Sequence, residues 1–250
     1  MNVNNVSGRS SRQEVSGKIG RYEAPYEVGD IVFNDGSAMP YSANLTLTED
    51  QTNAAIAVIF YVGTECNNDG DTVPRTLGVG LVHEQDGLAW CTSDADAYEK
   101  NITTIQCTAS GNVGSYIFTG VKDGRDNFTA LSVFPGISDT ENAAKYPAWY
   151  FAKNYAGQQG SHVSGTVYAD GWYLPTRTEL YCIWKELTLV DAASDLCGGS
   201  QFGTSSYWSS SQYASEDTYA WRFNFYLGDR ISLGLKTNDN DFVCAIRQFN

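Results

Sequence analysis

The sequence predicts an α+β fold made of short strands and hairpins with two or three helices. Three observations support this class. The 250 residues include 24 glycines and 16 tyrosines, which favours many turns and short strands over long helices. Three segments carry the capping-box spacing that is typical of helix N-termini. Near the C-terminus, aromatic and polar residues alternate as they do in a strand with one buried face.

The N-terminal quarter predicts a tail, a strand, a helix and a second strand. The first 25 residues lack apolar periodicity, so we expect a flexible tail followed by a single domain over residues 26–250. The segment YEVGDIVFNDGSAM predicts a strand that ends in an Asn-Asp-Gly turn. Thr48 and Gln51 have capping-box spacing, so a short helix should precede a buried strand from about Ile56 to Val62.

The next stretch predicts a loop, a hairpin and a turn-rich region. CNNDGDTVPR has loop composition, and TLGVGLVHEQDGLAW predicts the chain returning as a hairpin. Gly78 and Gly80 form a lone G-x-G without the third glycine and the following helix of a nucleotide site, so we do not interpret them as one. Residues 92–135 should contain turns and short strands.

Two helical regions are predicted in the second half. One opens with a Ser138…Glu141 box and restarts at Pro147, a residue suited to the first helical position. The other begins with a Thr176…Glu179 box. Its apolar positions fall at i, i+3, i+4 and i+7 and predict one core-facing stripe of Leu180, Ile183, Trp184 and Leu187. A further short helix is predicted from about Val190 to Leu196, ending at two glycines.

The last 45 residues predict a hairpin with one buried and one exposed face. In the first arm, three aromatics alternate with polar residues or tyrosine: Trp221, Phe223 and Phe225 against Arg222, Asn224 and Tyr226. After a Gly228-Asp229 turn, the second arm alternates Ile231, Leu233 and Leu235 with Arg230, Ser232, Gly234 and Lys236. The apolar set should face the core and the other set the solvent.

Composition favours some partners and excludes others. The net charge of −13 repels phosphate groups, and no basic patch is present, so nucleic acid and anionic membrane surfaces are not expected partners. No run approaches the roughly 20 apolar residues that a membrane span needs. No signal-peptide core follows Met1, although the start of the chain resembles a trimmed one. We expect a soluble monomer.

Cysteine and histidine usage argues against a metal centre or a catalytic constellation. Six cysteines are too sparse for a disulfide scaffold, and none has C-x-x-C spacing. We expect most of them to be small buried residues, with a bridge within one pair left open. His83 should be a satisfied surface or strand-end histidine. No G-x-S-x-G occurs, and neither histidine has a recognisable nucleophile partner. We therefore predict no enzyme activity and no metal site.

Two loops leave a structural calcium ion open as the one cofactor. NNDGD at residues 67–71 and TNDND at residues 237–241 carry oxygen ligands of the kind that calcium prefers. The same residues are also the usual composition of turns. The sequence of neither loop distinguishes a calcium site from an ordinary turn.

The C-terminal region holds more aromatics than its core requires. Tyr213, Tyr219 and Tyr226 are candidates for exposure among Ser, Asn, Asp and Arg. That mixture is typical of a binding surface, because tyrosine offers a large contact area at low entropic cost. An ordinary hydrated sheet face is the alternative.

Four motifs in the last third of the chain occur together in one known family. They are W-x-L-P-T…E-L in DGWYLPTRTEL, Y-W-S-S in YWSSSQYA, A-W-x-x-x-F-x-x-G starting at AWRFNF, and V-x-A-x-R-x-F in VCAIRQF. In this order, over about residues 168–249, the chain resembles the variable proteins of diversity-generating retroelements. Their fold is the C-type lectin fold of the formylglycine-generating-enzyme type. YPAWYFAKNYA and RTLGVGL extend the resemblance upstream, and residues 1–25 lie outside it.

The resemblance implies a rigid scaffold whose surface a retroelement rewrites by mutating template adenines, most often in Asn codons. It places a variable region at residues 205–249. The implied ligand-binding positions are all residues that such mutagenesis can produce: Asp217, Thr218, Tyr219, Arg222, Asn224, Tyr226, Leu227, Asp229, Arg230, Ser232, Leu235, Thr237, Asn238, Asp239, Asn240 and Asp241. Glu216 and Lys236 are not reachable and should be constant. The implied scaffold residues are Trp208, Trp221, Arg247 and Phe249.

The resemblance implies a protein that binds an unknown protein or glycan and has no catalytic activity. It also implies that this protein is secreted or lies at the cell surface, where a longer precursor could carry a lipid anchor. Two alternatives remain. A calcium-dependent lectin is one, although the Glu-Pro-Asn, Gln-Pro-Asp and Trp-Asn-Asp signatures are absent. A divergent oxidase of the formylglycine-generating type is the other. Its paired copper-holding cysteines do not map onto Cys182, Cys197 and Cys244.

Overall fold

The computed structural model describes residues 12–228 and 232–249. Within them the fold is α+β, as the sequence predicts, with mainly antiparallel sheets and few helices. The turn predicted at Gly228-Asp229, together with Arg230 and Ile231, lies partly outside the described residues.

The strands are short, in keeping with the glycine content. They are β1 (Asp30–Phe33), β2 (Ala38–Pro40), β3 (Ala55–Gly63), β4 (Arg75–Gly80), β5 (Cys107–Ser110), β6 (Ile117–Gly120), β7 (Trp172–Tyr173), β8 (Ser206–Gln212), β9 (Tyr219–Asn224), β10 (Leu233–Leu235) and β11 (Ile246–Gln248).

The α-helices are also short. They are α1 (Glu49–Ala54), α2 (Asn127–Ser132), α3 (Pro147–Lys153), α4 (Arg177–Lys185) and α5 (Leu187–Leu196). Single 3₁₀ turns occur at Thr103–Ile105, Ala143–Lys145 and Tyr155–Gly157. In the part of the chain that the structure describes, no helix has the length and apolarity needed to cross a bilayer.

A six-stranded antiparallel sheet with the order β2-β1-β3-β4-β11-β7 lies at the centre of the described residues. A three-stranded sheet, β10-β9-β8, carries the C-terminal hairpin, and β5 and β6 form a separate pair. Phe242 connects the larger two sheets: its amide and carbonyl bond to Ser206 and Trp208 of β8 before the chain enters β11.

The two faces of the central sheet pack into two different cores. Along β3, Ile56 and Ile59 face a first core rich in tryptophan, while Val58 and Phe60 face a second core. The second core holds the inner sides of α4 and α5 together with Phe223 and Phe225 of the C-terminal hairpin. Burial on both faces explains why β3 is a continuous apolar run rather than an alternating one.

Two of the predicted capping boxes are confirmed and one is wrong. Thr48 and Thr176 each accept a hydrogen bond from the amide three residues later, and the side chains of Gln51 and Glu179 bond back. Ser138 forms no box: its amide and hydroxyl donate to the carboxylate of Asp96. The expected restart of the helix at the first position of α3 is confirmed.

Residues 12–25 are bound to the domain rather than detached from it. Tyr22 exchanges backbone hydrogen bonds with Ala38 of β2, and the Arg12 guanidinium pairs with the buried carboxylate of Asp30. The prediction of a flexible tail is therefore wrong for residues 12–25. The sequence gives no local sign of these contacts because the partners are distant along the chain. Residues 1–11 lie outside the description.

The glycines of β4 make room for aromatic rings. A Cβ on Gly80 would lie 2.4 Å from the Tyr155 ring, and one on Gly78 would lie 2.7 Å from the ring of Phe249. The G-x-G pattern thus has a packing cause, since only glycine lets these rings approach the strand so closely.

A buried cluster of charged residues connects α4 to the central sheet beside the hairpin. Arg75 lies 3.1 Å from the carboxylate of Glu179 and 3.0 Å from that of Asp123, and it donates to the Tyr173 hydroxyl at 2.7 Å. Burial raises the pKa of Glu179, and the Arg75 charge opposes that rise. Because each charge in the cluster has a partner, we interpret it as structural.

Candidate functional site

The candidate site is built on the hairpin of β9 and β10, which pairs Trp221 with Leu233 and Tyr219 with Leu235. The predicted inner face of β9 is confirmed: Trp221, Phe223 and Phe225 are buried. Phe223 and Phe225 contact each other and enter the second core.

The opposite face of this sheet is also covered, which contradicts the prediction of one solvent face. Ser232, Gly234 and Lys236 were expected to face solvent and are buried. A Cβ on Gly234 would lie 2.5 Å from the Trp208 ring of β8. Leu235, which the alternation places in the core and the resemblance places at the surface, is 43% exposed. The alternation is therefore wrong for the second arm, because Trp208 and its neighbours cover the face that it assigns to water.

The predicted binding positions fall into groups of different accessibility. The exposed ones are Asp217, Tyr226, Leu227, Leu235, Asp239 and Asn240. The partly buried ones are Thr218, Tyr219, Arg222, Asn224, Thr237 and Asn238. Ser232 and Asp241 are buried, so the expectation of exposure is wrong for these two. Asp229 and Arg230 lie outside the described residues.

Eight of the fourteen described positions lie at the end of the hairpin where β9 begins and β10 ends; we call this group the base cluster. The amide of Lys236 donates to the Thr218 carbonyl, and that of Asn238 donates to the Leu235 carbonyl. Tyr219 lies beside Leu235 across the pair. The base cluster comprises Asp217, Thr218, Tyr219, Leu235, Thr237, Asn238, Asp239 and Asn240.

A salt bridge between Arg222 and Asp241 supports the base cluster. The guanidinium of Arg222 binds both carboxylate oxygens of Asp241 at 2.8 and 3.0 Å, and its Nε donates to the Ser232 hydroxyl. Asn238 donates to the same carboxylate at 2.6 Å. Burial raises the pKa of Asp241, and the Arg222 charge opposes the rise. These contacts assign Asp241 a supporting role.

Lys236 anchors the hairpin to the segment of residues 97–100. Its ammonium donates to three carbonyls, those of Ala97, Tyr98 and Lys100, at 2.7, 3.3 and 3.0 Å. It also lies 5.0 Å from the centre of the Trp90 ring. Burial lowers the pKa of Lys236 to about 8. The sequence prediction treated this lysine as solvent-exposed, and its carbonyl partners, more than 130 residues away, explain why no local signal reveals them.

A second group lies at the other end of β9, and we call it the tip: Tyr226 and Leu227. Their side chains are 74% and 54% exposed. At about 3.3 Å per residue, the seven residue steps from Tyr219 to Tyr226 span roughly 20 Å, so the tip and the base cluster are separate surfaces. The tip rests on Trp184, which donates to the Phe225 carbonyl at 3.2 Å.

Val113 is a neighbour of the tip that the sequence interpretation did not include. A Cβ on Gly228 would lie 2.8 Å from Val113 and 2.6 Å from Trp184, so the turn is closely packed between them. No sequence signal marks this contact, because Val113 belongs to the loop between β5 and β6.

Two residues considered for rival chemistry have ordinary packing environments. His83, expected to be a satisfied surface or strand-end histidine, is satisfied but buried: it contacts Phe202 and bonds the Tyr207 hydroxyl at 2.9 Å. Burial lowers its pKa to about 3. Cys182 lies 3.2 Å from Cys66, a partner that the sequence interpretation did not identify.

Several oxygens of the two candidate calcium loops have internal partners, whereas the buried Asn67 side-chain oxygen has no hydrogen-bond partner among the described residues. The Asn68 side-chain oxygen accepts from the Lys122 and Asp123 amides, and Asp71 accepts from the Val73 amide. In the second loop the carboxylate of Asp241 is held by Arg222 and Asn238. No group of three or more His, Cys, Asp or Glu side chains suited to a metal ion occurs in residues 12–228 and 232–249.

Comparison with known proteins gives a fold likeness only. No protein-family model matches the chain. No curated protein gives a significant match. Among solved structures, the chain is similar to a fimbrial protein from Bacteroides ovatus ATCC 8483, with a TM-score of 0.57 and 15% identity. The match covers 90% of this chain and 49% of that one, so the chain spans about half the length of the fimbrial protein.

Proposed function

We propose that this protein is a non-catalytic, receptor-like or adhesin-like binding protein whose recognition surface is diversified by a retroelement. The proposed scaffold is the C-type lectin fold of the formylglycine-generating-enzyme type. The motifs over residues 168–249 support this assignment through their resemblance to the variable proteins, Treponema variable protein A among them. The α+β architecture is compatible with it.

The observation that carries the proposal is the division of residue types along one hairpin. The buried positions of β9 are Ala220, Trp221 and Phe223. Trp and Phe codons contain no adenine, and an alanine codon can contain one only at its silent third position, so adenine mutagenesis would leave these residues unchanged. The exposed positions of the base cluster and the tip are residues that this mutagenesis produces. Diversity could therefore accumulate at the surface without loss of the core.

The contacts around the hairpin support binding by rigid display. The backbone of the hairpin is held by buried rings on one side and by the bonds of Lys236 and Asp241 on the other. Ligand binding would therefore incur little entropic cost from ordering the hairpin. Tyr219 and Tyr226 offer contact area at low entropic cost, and the amides of the base cluster offer hydrogen bonds.

The charge of the surface indicates which ligands it favours. Asp217 and Asp239 are exposed in the base cluster, and Glu216 is exposed beside them. With a net charge of −13 over the whole chain, this surface favours neutral or cationic ligand groups over anionic ones.

The decisive experiment is deep sequencing of the gene segment that encodes residues 205–249 in a growing population of the source organism. We expect adenine-templated substitutions at base-cluster and tip codons, a near-copy of the segment elsewhere in the genome, and constant codons for Trp221, Phe223 and Lys236. An equally long upstream segment serves as the control. An invariant segment without a near-copy would overturn the retroelement proposal.

The fold likeness to a fimbrial protein favours a second candidate function, that of a component of a surface fibre. A fibre component, like the binding protein of the first proposal, would act at the cell surface, but it would also have to self-associate. Sedimentation of the purified chain distinguishes them: the binding proposal expects a monomer, and a concentration-dependent polymer would favour the fibre component.

A further inference from the structure

Two buried cysteines from distant parts of the chain meet beneath the hairpin. Cys66 lies in the loop between β3 and β4, and Cys182 lies in α4, 116 residues later. Their sulfurs are 3.2 Å apart, and both side chains are almost completely buried. A disulfide bond is about 2.05 Å long, so closing the gap needs a movement of roughly 1 Å.

The surrounding contacts already hold these two segments together. The amide of Cys66 donates to the Tyr61 hydroxyl, and its carbonyl accepts from Arg75 at 2.8 Å. One helical turn beyond Cys182, the ammonium of Lys185 pairs with Glu65 at 2.6 Å. The loop and the helix therefore contact each other twice along one helix face, which limits the freedom of the thiols to separate.

A cavity that could hold a small reagent lies beside one of the two cysteines. It has a volume of about 270 Å³, and Cys182 lies in its lining together with Tyr181, Thr178 and Glu65. Cys66 does not line it. Cys182 is thus placed to react first and Cys66 to resolve the product.

We propose that Cys66 and Cys182 are a reversible oxidation site, at which a small disulfide of the surroundings converts the two thiols into a bond between α4 and the β3–β4 loop. The Cys182 thiolate attacks one sulfur of the reagent and releases the first thiolate leaving group. The Cys66 thiolate then attacks the mixed disulfide and releases the second. The two cysteine protons end on the two released thiols, so two thiols are oxidised and one disulfide is reduced.

This bond would stiffen the support of the hairpin. In α4, Tyr181 contacts the ring of Phe223, and Trp184 donates to the Phe225 carbonyl. A covalent link at Cys182 would hold this helix against the central sheet. The inference does not depend on diversification of the surface.

The test uses the purified full chain, reduced and then treated with 2-hydroxyethyl disulfide. After alkylation of the remaining thiols in denaturant, we expect mass spectrometry to count four alkylated cysteines instead of six. Tryptic digestion should yield one linked pair, residues 22–75 with residues 178–185, each of which holds a single cysteine. Six alkylated cysteines at equilibrium, or a different linked pair, would overturn the proposal.

A stability measurement checks the structural effect independently. The closed loop is long, so we expect oxidation to raise the Tm by about 5–10 °C and dithiothreitol to reverse the rise. Cys182→Ala should abolish the redox-dependent shift. Cys244→Ala removes a buried thiol of the same core and should retain it, which separates the loss of the bond from the loss of packing. A shift that persists in Cys182→Ala would contradict the assignment.

Discussion

Trp221 and Tyr226 lie on one arm of the hairpin and have opposite environments. The Trp221 ring is 7% exposed, packs under the Arg177 guanidinium at 3.6 Å and meets the Tyr213 ring edge-on. We expect Trp221→Ala to lower the free energy of unfolding by about 3–5 kcal/mol, as for other buried aromatics. Tyr226→Ala should change it by less than about 0.5 kcal/mol. Urea unfolding of both variants checks this, and equal losses would contradict the assignment of buried and exposed rings.

The buried ammonium of Lys236 contributes to stability through three hydrogen bonds to backbone carbonyls. Lys236→Met removes the donor for three carbonyl groups and leaves them without that partner, at a cost of about 2–4 kcal/mol. Lys18→Met, which removes an exposed lysine paired with Glu23, should cost less than about 1 kcal/mol. Thermal unfolding of both variants compares them. A neutral Lys236→Met would mean that water reaches the three carbonyls.

Local sequence signals predict the helices better than the hairpin surface. The Thr176 box involves atoms three residues apart, so the sequence contains both partners. The Ser138 box has the same spacing and fails, because Asp96, 42 residues earlier, takes both donors. Alternation predicts the buried rings of β9 correctly. It fails for Lys236 because the carbonyls that satisfy its charge belong to a distant segment.

At the scale of elements, the packing of β4 against aromatic rings gives a direct test of the G-x-G pattern. We expect Gly80→Ala to destabilise the protein by about 1–3 kcal/mol, because the added methyl would overlap the Tyr155 ring, whose hydroxyl accepts from the Val82 amide. Gly157→Ala is the matched control, since no atom lies within 4 Å of its added Cβ. Chemical denaturation measures both. Equal stability of the two variants would show that Tyr155 can move aside.

For the molecule as a whole, the buried thiols and phenols make stability depend on alkaline pH. Burial raises the pKa of five cysteines, among them Cys107 to about 11 and Cys197 to about 12. It also raises the pKa of several tyrosines, including Tyr155 and Tyr207. Above pH ~9 these groups lose protons in the unfolded chain before they do so in the folded one. The stability they contribute is therefore present below that pH and is lost as pH rises.

Lys236 changes the pH dependence of stability in the opposite direction to the thiols and phenols. Its folded pKa of about 8 lies below the usual lysine value, so its contribution to stability grows as pH rises from about 8 to 10.5. Each shifted group changes stability by at most about 1.4 kcal/mol per pH unit within its window. One lysine is opposed by five cysteines and several tyrosines, so the net effect above pH ~9 is a loss.

We therefore expect the free energy of unfolding of the reduced protein to change little from pH 7 to about 8.5 and to fall steeply towards pH 10.5. Urea unfolding followed by tryptophan fluorescence measures the curve, and absorbance near 295 nm shows whether tyrosines ionise only as the chain unfolds. Lys236→Met removes the opposing contribution, so the fall should be steeper in that variant than in the wild type. Stability that holds or rises to pH 10.5 would mean that the thiols and phenols are hydrated, in contradiction to the close packing of the two cores around the central sheet.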